Sequence, residues 1–213
     1  MKNFEIDQLP IDRFKLGSKF CRHEYKKGGG CIFVHEALEL SSISLDKYCK
    51  EKDIEVCAVR LKITPIQLII LDIYRSPSGN FTNFLKHLDS ILNTWHSNKV
   101  EFVICGDINI NYLENCNKRQ QLDALLQTYN LIGTVPFPTR KFKASTTAID
   151  NIVITRTKNY NINPHINGLS DHKAQIITAE NMVPTKQTNK ITTKRDINKQ
   201  SILEFQLVLS HEN

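Results

Sequence analysis

The chain has 213 residues, of which 40% are hydrophobic and 23% charged, a composition typical of a soluble protein with one sizeable core. The formal charge is +6, but residues 184–200 hold five basic residues against one aspartate. Most of the positive charge therefore lies in this segment, which favours a solvated basic tail over a dedicated nucleic-acid patch. The six cysteines form no C-x-x-C pair and no zinc-ligand spacing, which favours buried or free thiols in a reducing compartment. The absence of an apolar run of membrane-spanning length and of a signal peptide predicts an intracellular protein, nuclear or cytoplasmic, with no membrane partner.

Strands and turns are predicted in the first third of the chain. Gly28 to Gly30 precede a short apolar run within "KKGGGCIFVH" (26–35). A phosphate-cradling loop is the alternative interpretation, but no Lys-Ser/Thr pair follows and the glycines lead into a strand, so turn glycines are favoured. The β-rich runs 54–63 and 66–74, split by Thr64-Pro65, predict a hairpin.

Helices and strands alternate in the remainder. Apolar residues at helical spacing predict helices over 80–97 and 118–130, with a buried strand over 100–105 between them. The runs 146–155 and 171–180 then predict further strands. This order predicts an α/β protein with helices packed on sheets.

The last residues predict a different kind of segment. After residue 183 the chain is polar, basic and poor in aromatic residues, which predicts a domain over 1–183 and a linker over 184–213. Within that linker, 201–210 could form a short amphipathic helix.

Polar side chains collect where the predicted strands end or begin. They are Asp107 with Asn109, Asp150 with Asn151, Ser170-Asp171-His172, and Tyr74. Any one of them has an ordinary alternative interpretation, since Asp and Asn are common turn residues and a lone histidine usually lies on the surface. Strand ends meet at the rim of an α/β sheet, however, and the set together suits a hard divalent metal ion and a phosphate group.

Four ordered motifs resemble a known family. They are "IYRSPSGN" (73–80), "CGDINI" (105–110), "STTAIDNIVIT" (145–155) and "GLSDHKAQ" (168–175). In order and spacing they resemble the endonuclease/exonuclease/phosphatase superfamily. Within it, the likeness is to the apurinic-endonuclease-like nuclease domain of non-LTR (LINE-type) retrotransposon endonuclease-reverse transcriptase proteins. The resemblance spans about residues 1–180 and implies a four-layer α/β sandwich and a Mg²⁺-dependent (or Mn²⁺-dependent) DNA endonuclease with no small-molecule cofactor.

The resemblance also implies catalytic roles, residue by residue. Asp107 would orient or deprotonate the attacking water, and Asn109 would hydrogen-bond the scissile phosphate. His172 would donate to a phosphate oxygen, while Asp150 would orient and charge that imidazole. Tyr74 would contact the phosphate.

The remaining site residues are implied in binding and support. Asp171 would ligate or position the metal ion, directly or through water. Thr139 and Arg140 would lie near the DNA as nucleic-acid-binding residues, and Ser170 and Asn151 would support the site.

The chain departs from the family at its start. The family has an asparagine on its first strand and a metal-binding glutamate on its second, and neither is found before the segment matched by residues 11–34; Glu5 is a poor substitute because no strand precedes it. The expectation is therefore an N-terminally truncated fragment with little or no nuclease activity. The alternatives are a catalytically dead remnant acting as a binding or interaction module, and, against the retrotransposon-like flanks, a relative acting on another phosphate ester such as a phosphoinositide.

Overall fold

A computed structural model of the chain describes residues 6, 9–25, 28–64, 66–156, 159–166, 168, 170–179 and 183–184. Most of the predicted linker, including the helix predicted over 201–210, lies outside these residues. The strands are β1 Phe14–Phe20, β2 Gly30–His35, β3 Leu40–Ile43, β4 Glu55–Thr64, β5 Ile66–Tyr74, β6 Val100–Asp107, β7 Leu131–Gly133, β8 Arg140–Phe142, β9 Ser145–Thr147, β10 Asp150–Thr155, β11 Tyr160–His165, β12 Ala174–Ala179 and β13 Val183–Pro184. The α-helices are α1 Phe81–Trp95 and α2 Asn117–Thr128.

A mixed seven-stranded sheet is the centre of the structure. Its order is β13-β4-β5-β6-β10-β7, with β3 paired to β4. The β4–β5 pair is antiparallel, which confirms the predicted hairpin, and β5 pairs with β6 in parallel after the crossover through α1. The predicted order of strands and helices is therefore confirmed over this region.

The two faces of this sheet are covered differently. α1 buries Phe84, Leu88, Ile91 and Leu92 in a cluster with alternate residues of the central strands, among them Ile69, Leu71 and Phe102. The opposite face carries two antiparallel ribbons, β1–β2 and β11–β12, whose apolar residues pack against that side. The described residues thus form a helical layer, a mixed sheet and a layer of two ribbons, with β8–β9 as a separate hairpin.

Two predicted strands differ from those observed. The run 146–155 forms β9 and β10 with a break at Ala148 and Ile149. The carbonyls of these two residues accept hydrogen bonds from Tyr112 N and Ile108 N in the loop after β6, so they are not available to a continuous ladder. The strand predicted over 171–180 begins only at Ala174.

The glycine-rich turn matches the favoured interpretation. Gly28 and Gly29 have positive φ angles, and Gly30 begins a strand rather than a helix.

All six cysteines are free thiols. In the part of the chain that is described, neither helix has the length and apolar character needed to cross a membrane.

Asn80 caps α1 and provides a stability test. Its side chain accepts a hydrogen bond from Asn83 N at 3.0 Å, satisfying a backbone donor that has no partner within the helix. We expect Asn80→Ala to lower the free energy of unfolding by about 1 kcal/mol in urea denaturation. Asn93→Ala, an exposed position inside the same helix, is the matched control and should raise stability by a few tenths of a kcal/mol. Equal effects at the two positions would contradict the capping role.

Candidate active site

The ends of four neighbouring strands place polar side chains in one row. Glu55 pairs with Tyr74, and Asp107 pairs with Asp150. Tyr74 on β5 and Asp107 on β6 are also neighbours. Arg75 N donates to Asp107 O at 3.0 Å, which extends the parallel β5–β6 pairing to this end of the sheet. Residues opposite one another in a sheet point to the same face, here the face that carries the ribbons. The row therefore lies at one end of the sheet, on the side away from the helices.

Asp107, Asp150 and His172 form the centre of this row. His172 Nδ1 lies 3.0 and 2.9 Å from the two carboxylate oxygens of Asp150. One donor atom from each of the three residues falls within 4.8 Å of the others, a spacing that could hold a metal ion. Because β10 contributes the aspartate and the turn before β12 the histidine, the central sheet and the β11–β12 ribbon meet at this point.

Thr139 supports Asp150 from inside the protein. Its hydroxyl donates to Asp150 Oδ2 at 2.7 Å and accepts from Ile149 N and Asp150 N at 3.1 Å each. The side chain is completely buried, with 0% exposure, so its hydroxyl faces Asp150 and not solvent. Its position fits a role in fixing the carboxylate that faces His172.

Ser170 and Arg140 fix the turn that carries His172. Ser170 Oγ accepts from His172 N at 3.0 Å, and Arg140 and His172 form an isolated β-bridge. Arg140 Nε donates to Asp171 Oδ2 at 2.7 Å, and this guanidinium lowers the pKa of the Asp171 carboxyl. Asp171 is thus paired with Arg140 and is not in the group formed by Asp107, Asp150 and His172.

Asn109 sits in a left-handed turn beside Asp107, with φ of 51°. Its side-chain nitrogen donates to Arg75 O at 2.8 Å, and its backbone N donates to Asp107 Oδ1 at 3.2 Å. One amide hydrogen of Asn109 is therefore engaged in holding the turn. Asparagine tolerates this backbone conformation better than most residues.

Arg75 is a site-supporting residue that the sequence did not reveal. It is 1% exposed, and its guanidinium donates to Ile108 O at 2.8 Å and to Asn109 O at 2.9 Å. The same group lies over the rings of Phe81 and Phe84. An arginine directly after a strand looks like a surface residue, so no sequence signal distinguished it.

Asn151 lies away from this group. It pairs with Gly106, so its side chain is on the opposite face of the sheet from Asp150. It is 3% exposed and its Oδ1 accepts from Thr134 N at 3.3 Å. The structure thus gives Asn151 a place in the core rather than at the row of site residues.

The surroundings of Asp107 disfavour its negative charge unless a cation or a proton is bound. Burial, followed by the nearby negative charge of Asp150, raises the pKa of Asp107 to about 6. Two carboxylates this close favour binding of a divalent cation, which would relieve their repulsion, and hard oxygen donors suit Mg²⁺ or Mn²⁺. The residues present therefore fit such an ion, with Asp107 and Asp150 as the oxygen donors.

The Asp107 pKa predicts how stability depends on pH. Because the pKa lies above its ordinary value near 4, the folded state binds this proton more tightly, and ionisation destabilises the fold as pH rises through about 6. In EDTA at pH 7.5 we expect Asp107→Asn to raise the free energy of unfolding by about 1–2 kcal/mol, and to give no gain at pH 4. Thermal unfolding at both pH values measures this.

Asp171→Asn is the matched control with the opposite sign. Arg140 lowers the pKa of Asp171, so the stability from this ion pair is present at neutral pH and disappears as pH falls through the lowered pKa. We expect Asp171→Asn to lower the melting temperature slightly at pH 7.5. A pH-independent effect of Asp107→Asn would contradict the burial of an ionised carboxylate at this position.

Comparisons with known proteins agree with this arrangement. The sequence profile of a family described as endonuclease-reverse transcriptase matches residues 68–176. The endonuclease domain of TRAS1, a telomere-specific non-LTR retrotransposon, has a similar structure with a TM-score of 0.63 and 11% identity, over 80% of this chain and 81% of that one. A search among functionally curated proteins gives no match.

Two further solved structures are similar. An endonuclease/exonuclease/phosphatase family protein from Leptotrichia buccalis gives a TM-score of 0.55 at 13% identity, covering 80% of this chain and 73% of that chain. An AP endonuclease from Archaeoglobus fulgidus gives 0.54 at 13% identity, covering 79% and 80%. At these identities the likeness concerns the fold, and it confirms the predicted α/β sandwich of the endonuclease/exonuclease/phosphatase type.

Proposed function

Because the chain belongs to the endonuclease-reverse transcriptase family of the endonuclease/exonuclease/phosphatase superfamily, we propose that it hydrolyses phosphodiester bonds of DNA as a metal-dependent endonuclease. The observation that carries the proposal is the contact of His172 Nδ1 with Asp150 beside Asp107 at the end of the sheet. With Nδ1 donating to the Asp150 carboxylate, the imidazolium form of His172 can donate its Nε2–H to a phosphate oxygen. The same contact gives both residues a defined role.

Asp107 is the proposed base. Its carboxyl lies beside Asp150 and His172, where it would orient the attacking water and accept a proton from it. Asn109 has one amide hydrogen on Arg75 O, and its second hydrogen is the proposed donor to the scissile phosphate. Tyr74, the neighbour of Asp107 in the row, would contact the same phosphate. These groups would stabilise the negative charge that develops during in-line hydrolysis.

A divalent metal ion, Mg²⁺ or Mn²⁺, would supply additional positive charge to the phosphate when bound. Asp107 and Asp150 would hold it, and Asp171 is a further candidate ligand if it exchanges Arg140 for the ion. Within the described residues only three donor residues converge, fewer than an octahedral Mg²⁺ requires without water. We therefore expect slow turnover from this chain.

DNA is the proposed substrate because of the hairpin β8–β9. It carries Arg140, Lys141 and Lys143, with the Phe142 ring 50% exposed between the cations. Cations beside an exposed aromatic ring suit phosphate neutralisation and base stacking. The hairpin is joined to the site because Lys141 N donates to Asp171 O at 3.0 Å.

Nicking of supercoiled plasmid tests the proposal. With the full chain in molar excess over DNA, we expect conversion to open circles in Mg²⁺ or Mn²⁺ and none in EDTA. His172→Ala should reduce the rate at least about 100-fold, since it removes a proposed transition-state donor. His87→Ala, a change at a half-buried position of α1 away from the row of site residues, is the control and should leave the rate unchanged. No metal-dependent nicking by the unmodified chain would overturn the catalytic proposal.

A second function, DNA binding without cleavage, is favoured by the same basic hairpin together with the small donor set. It predicts salt-dependent DNA binding that survives both Asp107→Ala and His172→Ala. Fluorescence anisotropy with a labelled duplex at several salt concentrations measures this. An absence of binding at low salt would remove this alternative.

A further inference from the structure

The fourth member of the polar row, Glu55, is not used by the proposed reaction. Its side chain is completely buried, although it lies directly beside Tyr74. It accepts hydrogen bonds from Arg22 Nε, Gly29 N and Lys52 N, each at 2.7 Å. Glu55 therefore ties the turns on either side of it to the end of β4.

Arg22 extends this contact to the candidate site. Two of its guanidinium nitrogens donate to Glu55 Oε1, and its side chain is only 7% exposed. The guanidinium carbon lies 5.3 Å from the centre of the Tyr74 ring, within the range of a cation–π contact. A Cβ atom at Gly28 would overlap the same guanidinium, so the cation is enclosed between the glycine turn and the phenol.

The backbone after Arg22 is fixed as well. Glu51 accepts hydrogen bonds from the backbone nitrogens of His23, Glu24 and Tyr25. Two glutamates from the segment around the start of β4 thus hold both the side chain of Arg22 and the residues that follow it. This arrangement leaves little freedom for the guanidinium to leave the Tyr74 ring.

A buried ion pair contributes little to stability when compared with well-packed apolar residues of similar size. A contribution to stability therefore does not explain why Arg22 and Glu55 are charged. Their position beside Tyr74 offers an explanation. Arginine suits the task because its planar fork can bind a carboxylate and cover an aromatic face at the same time, which lysine cannot do.

We propose that Arg22, clamped by Glu55, is a positioning residue that fixes the Tyr74 ring for contact with the scissile phosphate. The proposal rests on the proposed function only for the purpose of Tyr74; the restraint on the ring is a property of the folded chain. Arg22 itself does not contact substrate, since its side chain is buried.

NMR of the full chain labelled with ¹³C-tyrosine tests the restraint without requiring activity. Tyr74→Phe identifies the Tyr74 ring signals. Arg22→Lys should shift and broaden these signals while the Tyr112 and Tyr129 signals stay in place. Arg119→Lys is the matched control, because Arg119 pairs with Asp123 and lies 5.0 Å from the Tyr112 ring centre; it should move Tyr112 and leave Tyr74 unchanged.

Glu55→Gln provides an independent second variant, since it keeps the shape of the clamp but removes its charge. It should alter the Tyr74 signals in the same direction as Arg22→Lys. Unchanged Tyr74 signals in a folded Arg22→Lys chain would overturn the proposal. Loss of signal dispersion in both variants would also overturn it, because the pair would then be required for folding rather than for positioning.

A double-mutant cycle on plasmid nicking connects the restraint to the reaction. Arg22→Lys should lower the single-turnover rate about 10-fold with little change in the DNA concentration for half-saturation, because misplacement of a group affects the chemical step. In a Tyr74→Phe background the same change should have no further effect. Additive losses would contradict action through Tyr74. Absence of nicking would overturn the proposed endonuclease activity, while the NMR result would still decide the restraint.

Discussion

Asp150→Asn is expected to slow plasmid nicking by about 10²–10³-fold while the chain remains folded. Asp150 lies 2.9 Å from His172 Nδ1 and accepts from the buried Thr139 hydroxyl, so the amide would keep the shape of the site. It would lack the negative charge that faces the ring, and its NH₂ group could face the ring nitrogen instead of an oxygen.

Single-turnover assays with enzyme in excess measure the rate, and thermal unfolding verifies the fold. Asp12→Asn is the matched control, because the Asp12 side chain is 97% exposed and lies in the turn before β1, outside the row of site residues. It should nick at the rate of the unmodified chain. Equal rates for Asp150→Asn and the unmodified chain would remove Asp150 and His172 from the proposed mechanism.

Gly106→Ala is expected to lower the free energy of unfolding by about 3 kcal/mol or more. Gly106 has φ of 140°, a conformation that side chains rarely adopt, and a Cβ atom there would overlap the carbonyl oxygen of Ile73 on the neighbouring strand. Relief would require β5 and β6 to move apart immediately before Asp107, so the site should be lost together with stability.

Gly168→Ala separates the cost of the positive φ angle from the cost of the steric overlap. Gly168 also has a positive φ, of 67°, but no atom of the described residues lies within 4 Å of the point that a Cβ atom would occupy. It should therefore show only the conformational cost of about 1 kcal/mol. Urea denaturation of both variants measures the difference. A Gly106→Ala chain as stable as Gly168→Ala would contradict the close approach of the Ile73 backbone.

The sequence predicted those parts of the fold that depend on local patterns. α1 was predictable because its apolar residues recur at helical spacing, and β5 and β6 because they are short, apolar and bounded by turns. The break between β9 and β10 was not, because it depends on hydrogen bonds from Tyr112 and Ile108, which are distant in sequence.

The candidate site also contains residues that the sequence predicted and residues that it did not. Asp107, Asp150 and His172 could be proposed together because each lies at the end or start of an apolar run, and the structure brings them together. Arg75 and Glu55 could not, since a charged residue at a strand end gives no sign in the sequence that it will be buried. The burial of Thr139 could not be predicted either, because it depends on how the segment before β8 folds back onto Asp150.

The row formed by Glu55, Tyr74, Asp107 and Asp150 has a consequence for the fidelity of folding. Since side chains alternate between the faces of a sheet, a shift of one residue in any of these strands would turn its polar group under the helices, among Phe84, Leu88 and Ile91. An unpaired carboxylate in that core would cost several kcal/mol. Asp107 and Asp150, which are proposed to act on DNA, therefore also disfavour misaligned sheets, so selection for chemistry and for correct strand pairing would fall on the same two residues.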